Sequence, residues 1–179
     1  MYNVFVIFTQ HQADGNINSF ELLKILEPIQ PDVIFEEILP VVYDQIYILQ
    51  NRTTLESNAV KLFLLTNEVE HIPVDTFDRP EGYYSGQNHL LDILGENIYK
   101  SVSHYTTYNK LLNSSRAGGF PFLNSYENDT LLNDLDKAHS QHLTELADDN
   151  LSQIAQLINE VNSKRDEVMI DNIYKYASE

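Results

Sequence analysis

Two apolar runs set what this sequence can fold into. Val4-Phe5-Val6-Ile7-Phe8 and Val33-Ile34-Phe35 are separated by a stretch in which Asn18 and Glu21 make a capping-box pattern and Leu22, Leu26 and Ile29 recur at helical spacing. Residues Tyr2 to Phe8 read as a buried strand, and Pro28 and Pro31 stop the helix before a second strand from about Asp32 to Glu36. Strand, helix and strand over this length predict a right-handed βαβ crossover with parallel strands.

The pattern continues with Pro40 in the first turn of a helix whose Val42, Ile46 and Leu49 share a face, and with Thr53 and Glu56 capping a helix that buries Leu55, Ala59 and Leu62. His71-Ile72-Pro73-Val74 is a short third strand ended by Asp75, as Glu36 and Glu37 end the second. Beyond Arg79-Pro80 the character changes. A helical pattern from about Ser85 to Leu112 carries Leu90, Leu91, Leu94, Ile98, Val102 and Tyr105. Residues Ser114 to Pro121, with two adjacent glycines, read as a hinge or lid loop without the spacing that cradles a phosphate. Two more helices are predicted over about Asp129 to Ala147 and Leu151 to Tyr176. The expected class is α/β: one domain, residues 1–179, with a small mainly parallel sheet flanked by helices over about 1–80 and a large helical C-terminal addition over about 81–179.

Composition excludes several function classes. A chain of 179 residues, 42% hydrophobic, suits one globular core. With 11 basic residues against 27 acidic ones the formal charge is -16, which repels nucleic acid and anionic membrane in the absence of a basic patch, and the sequence holds none. A cation, a neutral molecule or a basic partner is easier to accept, while the plainer role of such acidity is solubility. Having no cysteine, the chain has no thiolate nucleophile and no cysteine-ligated zinc. No apolar stretch approaches the roughly 20 residues of a membrane span and no signal-peptide pattern is evident, so a cytoplasmic protein is expected.

The candidate chemistry lies at the strand ends. If the first two strands are parallel neighbours, His11 and the pair Glu36 and Glu37 stand at one edge of the sheet, where open α/β folds place ligands. Strand alternation puts Val33, Phe35 and Glu37 on one face and Ile34 and Glu36 on the other, so the two carboxylates act separately. A rim carboxylate near His11 could ligate a metal, orient the imidazole or serve as a general base, and Asp75 joins the rim if the third strand is parallel. His11, Glu37 and Asp75 form a candidate metal set, with a divalent ion as the implied cofactor. The plain alternative has His11 starting a loop and the glutamates capping backbone groups. His139 and His142, three apart on a helix, read as solvated surface before they read as a metal site. His71 reads as structural, Tyr83 and Tyr84 as core, and Arg165 as part of a solvated charge run.

The segments Phe8-Thr9-Gln10-His11, Leu22-Leu23-Lys24-Ile25-Leu26, Pro31-Asp32-Val33-Ile34-Phe35-Glu36-Glu37 and Arg165-Asp166-Glu167-Val168-Met169 resemble, in kind and order, the erythromycin esterase-like, ChaN-like, TraB and TIKI superfamily. That resemblance implies a Gly-x-x-His motif after the first strand, acidic residues after the second, an arginine on a later helix and a second Gly-x-x-His. Members include ester and peptide hydrolases, some of them metal-dependent, and haem-iron binders. It assigns His11 as the first catalytic or ligand histidine, Glu36 and Glu37 as the acidic pair and Arg165 as the arginine. Two departures stand out: Phe8 occupies the place of the first motif's glycine, and no second Gly-x-x-His is present. The second departure implies a shortened chain, a reduced relative that binds without catalysing, or an unrelated histidine that fills the gap.

Together these readings lead to an expected hydrolase of an ester or amide, with or without a metal. In it His11 or its metal activates water, Glu36 or Glu37 orients that base, and Arg165 stabilises negative charge. The alternative is a non-catalytic relative that binds a ligand, a metal or a protein.

Overall fold

A computed structural model of the chain describes residues 3–76, 79–99 and 101–177. Its elements run α1 (Ser19–Ile29), β1 (Val33–Glu36), α2 (Pro40–Tyr47), α3 (Leu55–Leu64), β2 (Glu70–Pro73), α4 (Tyr83–Ile98), α5 (Val102–Leu123), α6 (Tyr126–Leu146) and α7 (Asp149–Ala177). The protein is mostly helical around a two-stranded parallel sheet, in which Val33 lies beside Glu70, Ile34 beside His71, Phe35 beside Ile72 and Glu36 beside Pro73.

Local signals explain most helix starts. Asn18 Oδ1 accepts from the amides of Phe20 and Glu21 at 3.1 Å each, satisfying two donors that α1 would leave bare. Pro40 opens α2 where a missing N–H costs nothing. At α3 the capping box is one residue later than the Thr53 pattern predicts: Thr54 Oγ1 accepts from Ser57 N at 3.1 Å, and Ser57 Oγ accepts from Thr54 N at 2.8 Å. That shift leaves the Glu56 side chain for other partners.

The strand predicted at Tyr2 to Phe8 is not formed. Tyr2 lies outside the described residues; Val4, Phe5, Val6 and Phe8 are 80%, 63%, 71% and 65% exposed, and only Ile7 of that run packs on the core. Instead of a neighbouring strand, the side-chain amide of Asn124 meets this segment, accepting from Phe8 N at 2.7 Å and donating to Phe8 O at 3.1 Å. One amide thereby supplies at a single residue both bonds of a ladder. The parallel crossover of this fold is therefore β1 to β2 through α2 and α3.

The helical pattern from Ser85 to Leu112 divides at Ser101, whose Oγ accepts from His104 N and starts α5. The predicted loop from Ser114 to Pro121 is instead the kinked end of α5. Gly119 there takes φ 58°, and a Cβ on it would lie 2.9 Å from Asn16 O. Gly119 and Phe120 are buried against the turn at Asn16 and Ile17, so the kink is anchored in the core and is not a lid.

Apolar clusters hold two regions. Ile17, Leu22, Leu55, Ala59 and Phe120 join α1, α3 and the α5 kink, while Tyr83, Leu90, Leu94 and Ile158 join α4 to α7. Two contacts seat α7 against the sheet: Asn172 Nδ2 donates to Val74 O at 3.0 Å, and the Tyr176 ring meets Phe35 edge-on at 5.5 Å. No helix among the described residues is long and apolar enough to cross a membrane.

Candidate functional site at the carboxyl ends of the strands

The backbone stays knitted past the strands and so places their acidic ends side by side. Val74 N donates to Glu36 O at 3.0 Å and Asp75 N to Ile38 O at 3.1 Å, bringing Glu37 and Asp75 to one rim. Arg165 of α7 reaches both: its Nε donates to Asp75 Oδ1 at 2.6 Å and its Nη2 to Glu37 Oε1. The side chains of Arg165 and Asp75 are 18% and 10% exposed and that of Glu37 is 52% exposed, so the arginine and aspartate form the inner pair and Glu37 the outer edge. The hydrogen bond that Arg165 donates to Asp75 is the main cause that raises the Arg165 pKa; partial burial opposes it, and Glu37 adds to the rise. Arg165 also lines a cavity of about 260 Å³ with Thr76, Pro80, Val161, Lys164 and Val168.

Glu36 turns the other way and is sealed, at 7% exposed. Its Oε2 accepts from the Tyr47 hydroxyl and pairs with His71 Nε2 at 2.7 Å, and the His71 side chain is only 3% exposed. The rings of Tyr47 and Tyr43 lie 4.5 Å and 5.3 Å from the His71 ring. Burial first, then the Glu36 charge and its hydrogen bond, push the Tyr47 phenol far above its usual value. Two atoms of this cluster, Glu36 Oε1 and His71 Nδ1, are buried without a hydrogen-bond partner. Sequence reasoning left His71 as a structural residue. The signal that could have found it is register: His71 sits opposite Ile34, which shares a face with Glu36.

His11 has a third location. Its Nδ1 lies 3.2 Å from Glu56 Oε1, which also accepts from Thr9 Oγ1 at 2.7 Å. The imidazole is 74% exposed while the Glu56 side chain is 14% exposed. Its hydrogen-bond partner is thus Glu56, a residue that sequence reasoning used only as a cap, and not Glu36 or Glu37. The missed signal is the glutamate at the second position of α3, left without a capping partner once Ser57 takes that role. Glu56 is close enough to Tyr47 for its charge to add to the rise in the phenol's pKa.

Of the sequence-predicted site residues, Glu37, Asp75 and Arg165 come together; Glu36 and His11 each sit in a separate cluster. The donor set His11, Glu37 and Asp75 does not fit a metal. A guanidinium already engages both carboxylates, the histidine belongs to Glu56, and among the described residues no group of three or more His, Asp or Glu could hold an ion. His139 is half-buried; desolvation lowers its pKa, His104 and His142 act in the same direction, and Asp136 opposes them.

Comparisons with models of known protein families, with curated proteins and with solved structures find nothing that matches this chain.

Proposed function

We propose that the protein hydrolyses a small ester or amide at the carboxyl ends of β1 and β2. The observation that carries this reading is Arg165 fixed between Glu37 and Asp75 at the edge of an open cavity, a donor preorganised for charge that develops on a carbonyl oxygen. The base for water is Glu37, whose half-exposed carboxylate stands beside Arg165, while His11, paired with Glu56 in its own cluster, takes no part in this step. The water oxygen attacks the carbonyl carbon and gives its proton to Glu37. The tetrahedral oxyanion rests on Arg165, and its collapse breaks the C–O or C–N bond while Glu37 returns the proton to the leaving group. The resemblance to the erythromycin esterase-like, ChaN-like, TraB and TIKI superfamily agrees with this use of Glu37 and Arg165 and departs from it at His11. The charge of -16 argues against an anionic substrate and against nucleic-acid or anionic-membrane partners, and a cytoplasmic location is part of the proposal.

The test is turnover of a panel of p-nitrophenyl esters and anilides by the wild type, Glu37→Gln, Arg165→Lys and His11→Ala. Loss of about 100-fold or more in kcat/KM is expected for Glu37→Gln, in the range for general-base removal. A panel with no turnover, or rates unchanged in Glu37→Gln and Arg165→Lys, sinks the reading.

A second reading is a binding protein without catalysis. What favours it is that Glu36 is sealed by Tyr47 and His71 while Glu37 and Asp75 are held by Arg165, so none of the expected carboxylates orients His11. Ligand binding that survives His11→Ala in the absence of any turnover decides for it.

A further inference from the structure

Val4, Phe5, Val6 and Phe8 leave most of their surface in water, and of this run only Ile7 packs on the core. Outward, inward and outward at Val6, Ile7 and Phe8 is the side-chain period of a strand. Asn124 meets Phe8 alone: among the described residues the N–H and C=O groups of Val4, Phe5, Val6 and Ile7 have no hydrogen-bond partner. Such a run is an open edge on which another strand docks. Charge and area choose the occupant. Residues 1–13 are the longest stretch of the sequence without an acidic or basic side chain other than histidine, in a chain of formal charge -16. Two copies of so acidic a protein repel where their carboxylates approach, and a contact between these uncharged segments keeps those carboxylates apart. A basic partner finds no carboxylate here, the first being Asp14, which Arg116 already engages. A lipid surface takes the apolar side chains but leaves the bare amides and carbonyls unpaired, whereas a second strand pairs them. At about 150–200 Å² for a whole residue of this size, the four exposed residues offer roughly 500 Å² per copy. A symmetric pair then buries roughly 1,000 Å², at the lower limit of a specific interface and too little for an obligate one.

We propose that residues 4–8 are the contact of a weak homodimer: a two-fold axis sets this segment antiparallel to the same segment of a second copy, and each supplies the ladder that the other lacks. Association through this segment does not depend on hydrolysis at the strand ends.

The full chain is followed by sedimentation velocity from about 1 to about 500 µM, in low and high salt. A monomer–dimer equilibrium with Kd on the order of 10–100 µM is expected from so small an area. Raising salt from about 0.05 to about 0.5 M should tighten it severalfold, because salt screens the repulsion of like charges and leaves the apolar contact in place. Val6→Lys and Phe5→Asp, of opposite charge, should each weaken dimerisation about tenfold or more, since both put a charge into the strand pair. Circular dichroism at about 1 µM, where the wild type is a monomer, establishes that each variant is folded. Hydrogen exchange should show the amides of residues 5–7 protected at the high concentration and unprotected at the low one. A monomer at every concentration, growth past the dimer, association weakened by salt, or folded variants that dimerise as the wild type does overturns the proposal. Dimerisation without protection of residues 5–7 overturns it too. So does binding to neutral phosphatidylcholine vesicles by a protein that stays monomeric, which would assign the segment to a lipid surface.

Discussion

The Arg165 guanidinium donates through Nε to the Asp75 carboxylate at 2.6 Å, tying the last helix to the end of β2 across 90 residues of chain. Asp75 also accepts from Thr76 N at 2.7 Å, so its carboxylate is held by a fixed amide and a fixed cation. Such a pair aims the guanidinium, and it leaves a costly charge behind if either partner is removed.

Arg165→Met is accordingly expected to destabilise the protein by about 2 kcal/mol. That is below the roughly 3–5 kcal/mol of a fully buried pair because Glu37 is half in water. Arg165→Lys should recover only part of the loss, since an ammonium lacks the planar fork that meets two carboxylates. Urea unfolding of both variants reads this, and a lysine variant as stable as the wild type would contradict it.

Tyr47 should resist ionisation. Its phenol is raised by burial and by Glu36, so in an alkaline titration followed by tyrosinate absorbance Tyr47→Phe should lose no amplitude over the range where exposed tyrosines ionise. The same substitution leaves Glu36 without one of its two donors and is expected to cost about 1–3 kcal/mol in chemical denaturation.

Acid should act on the contact of α5 with α6. The pKa of His139 is lowered in the folded protein by desolvation and by His104 and His142, against the pull of Asp136. As pH falls through the ordinary histidine value of about 6.5 the unfolded chain takes up a proton that the folded one refuses, so stability drops until the lowered folded value is reached. Between about pH 8 and about pH 5.5 the wild type should therefore lose more stability than His139→Gln, and parallel curves would count against this assignment.

Two glycines should respond in opposite directions to alanine. Gly119 has φ 58° with Asn16 O only 2.9 Å from a built Cβ, so Gly119→Ala is expected to cost about 1–3 kcal/mol. Gly95, inside α4, would meet nothing within 4 Å, and Gly95→Ala should stabilise by about 0.5–1 kcal/mol. Thermal unfolding of the two variants beside the wild type gives both signs.

The exposed run near the N-terminus should tolerate polarity. Val4→Thr with Val6→Thr is expected to leave stability within about 0.5 kcal/mol, as for surface sites. Ile7→Ser, which removes a side chain packed on two core clusters, should lower it measurably in the same denaturation assay.

The sequence by itself determined what acts within a turn or two of chain. Asn18 starts α1, Pro40 starts α2, and the runs ending at Glu36 and near Asp75 are strands, because caps, helical spacing and proline geometry depend only on near neighbours. The candidate rim of Glu37 and Asp75 was legible for the same reason, as polar residues directly following apolar runs. Tertiary structure alone decided the rest. Val4 to Phe8 has the composition of a buried strand, yet a strand exists only where another backbone offers a ladder, and here the partner is one asparagine side chain. Ser114 to Pro121 has the composition of a loop but is held helical up to Gly119 by its fit against Asn16 and Ile17. Arg165, in what reads as a surface charge run, meets its carboxylates because α7 crosses the sheet end, and His11 meets Glu56 where the α3 cap is made by Thr54 and Ser57 and leaves that glutamate out. Those pairings join residues 45 to 128 positions apart, a separation at which local propensity carries no information and the path of the chain decides which charges meet.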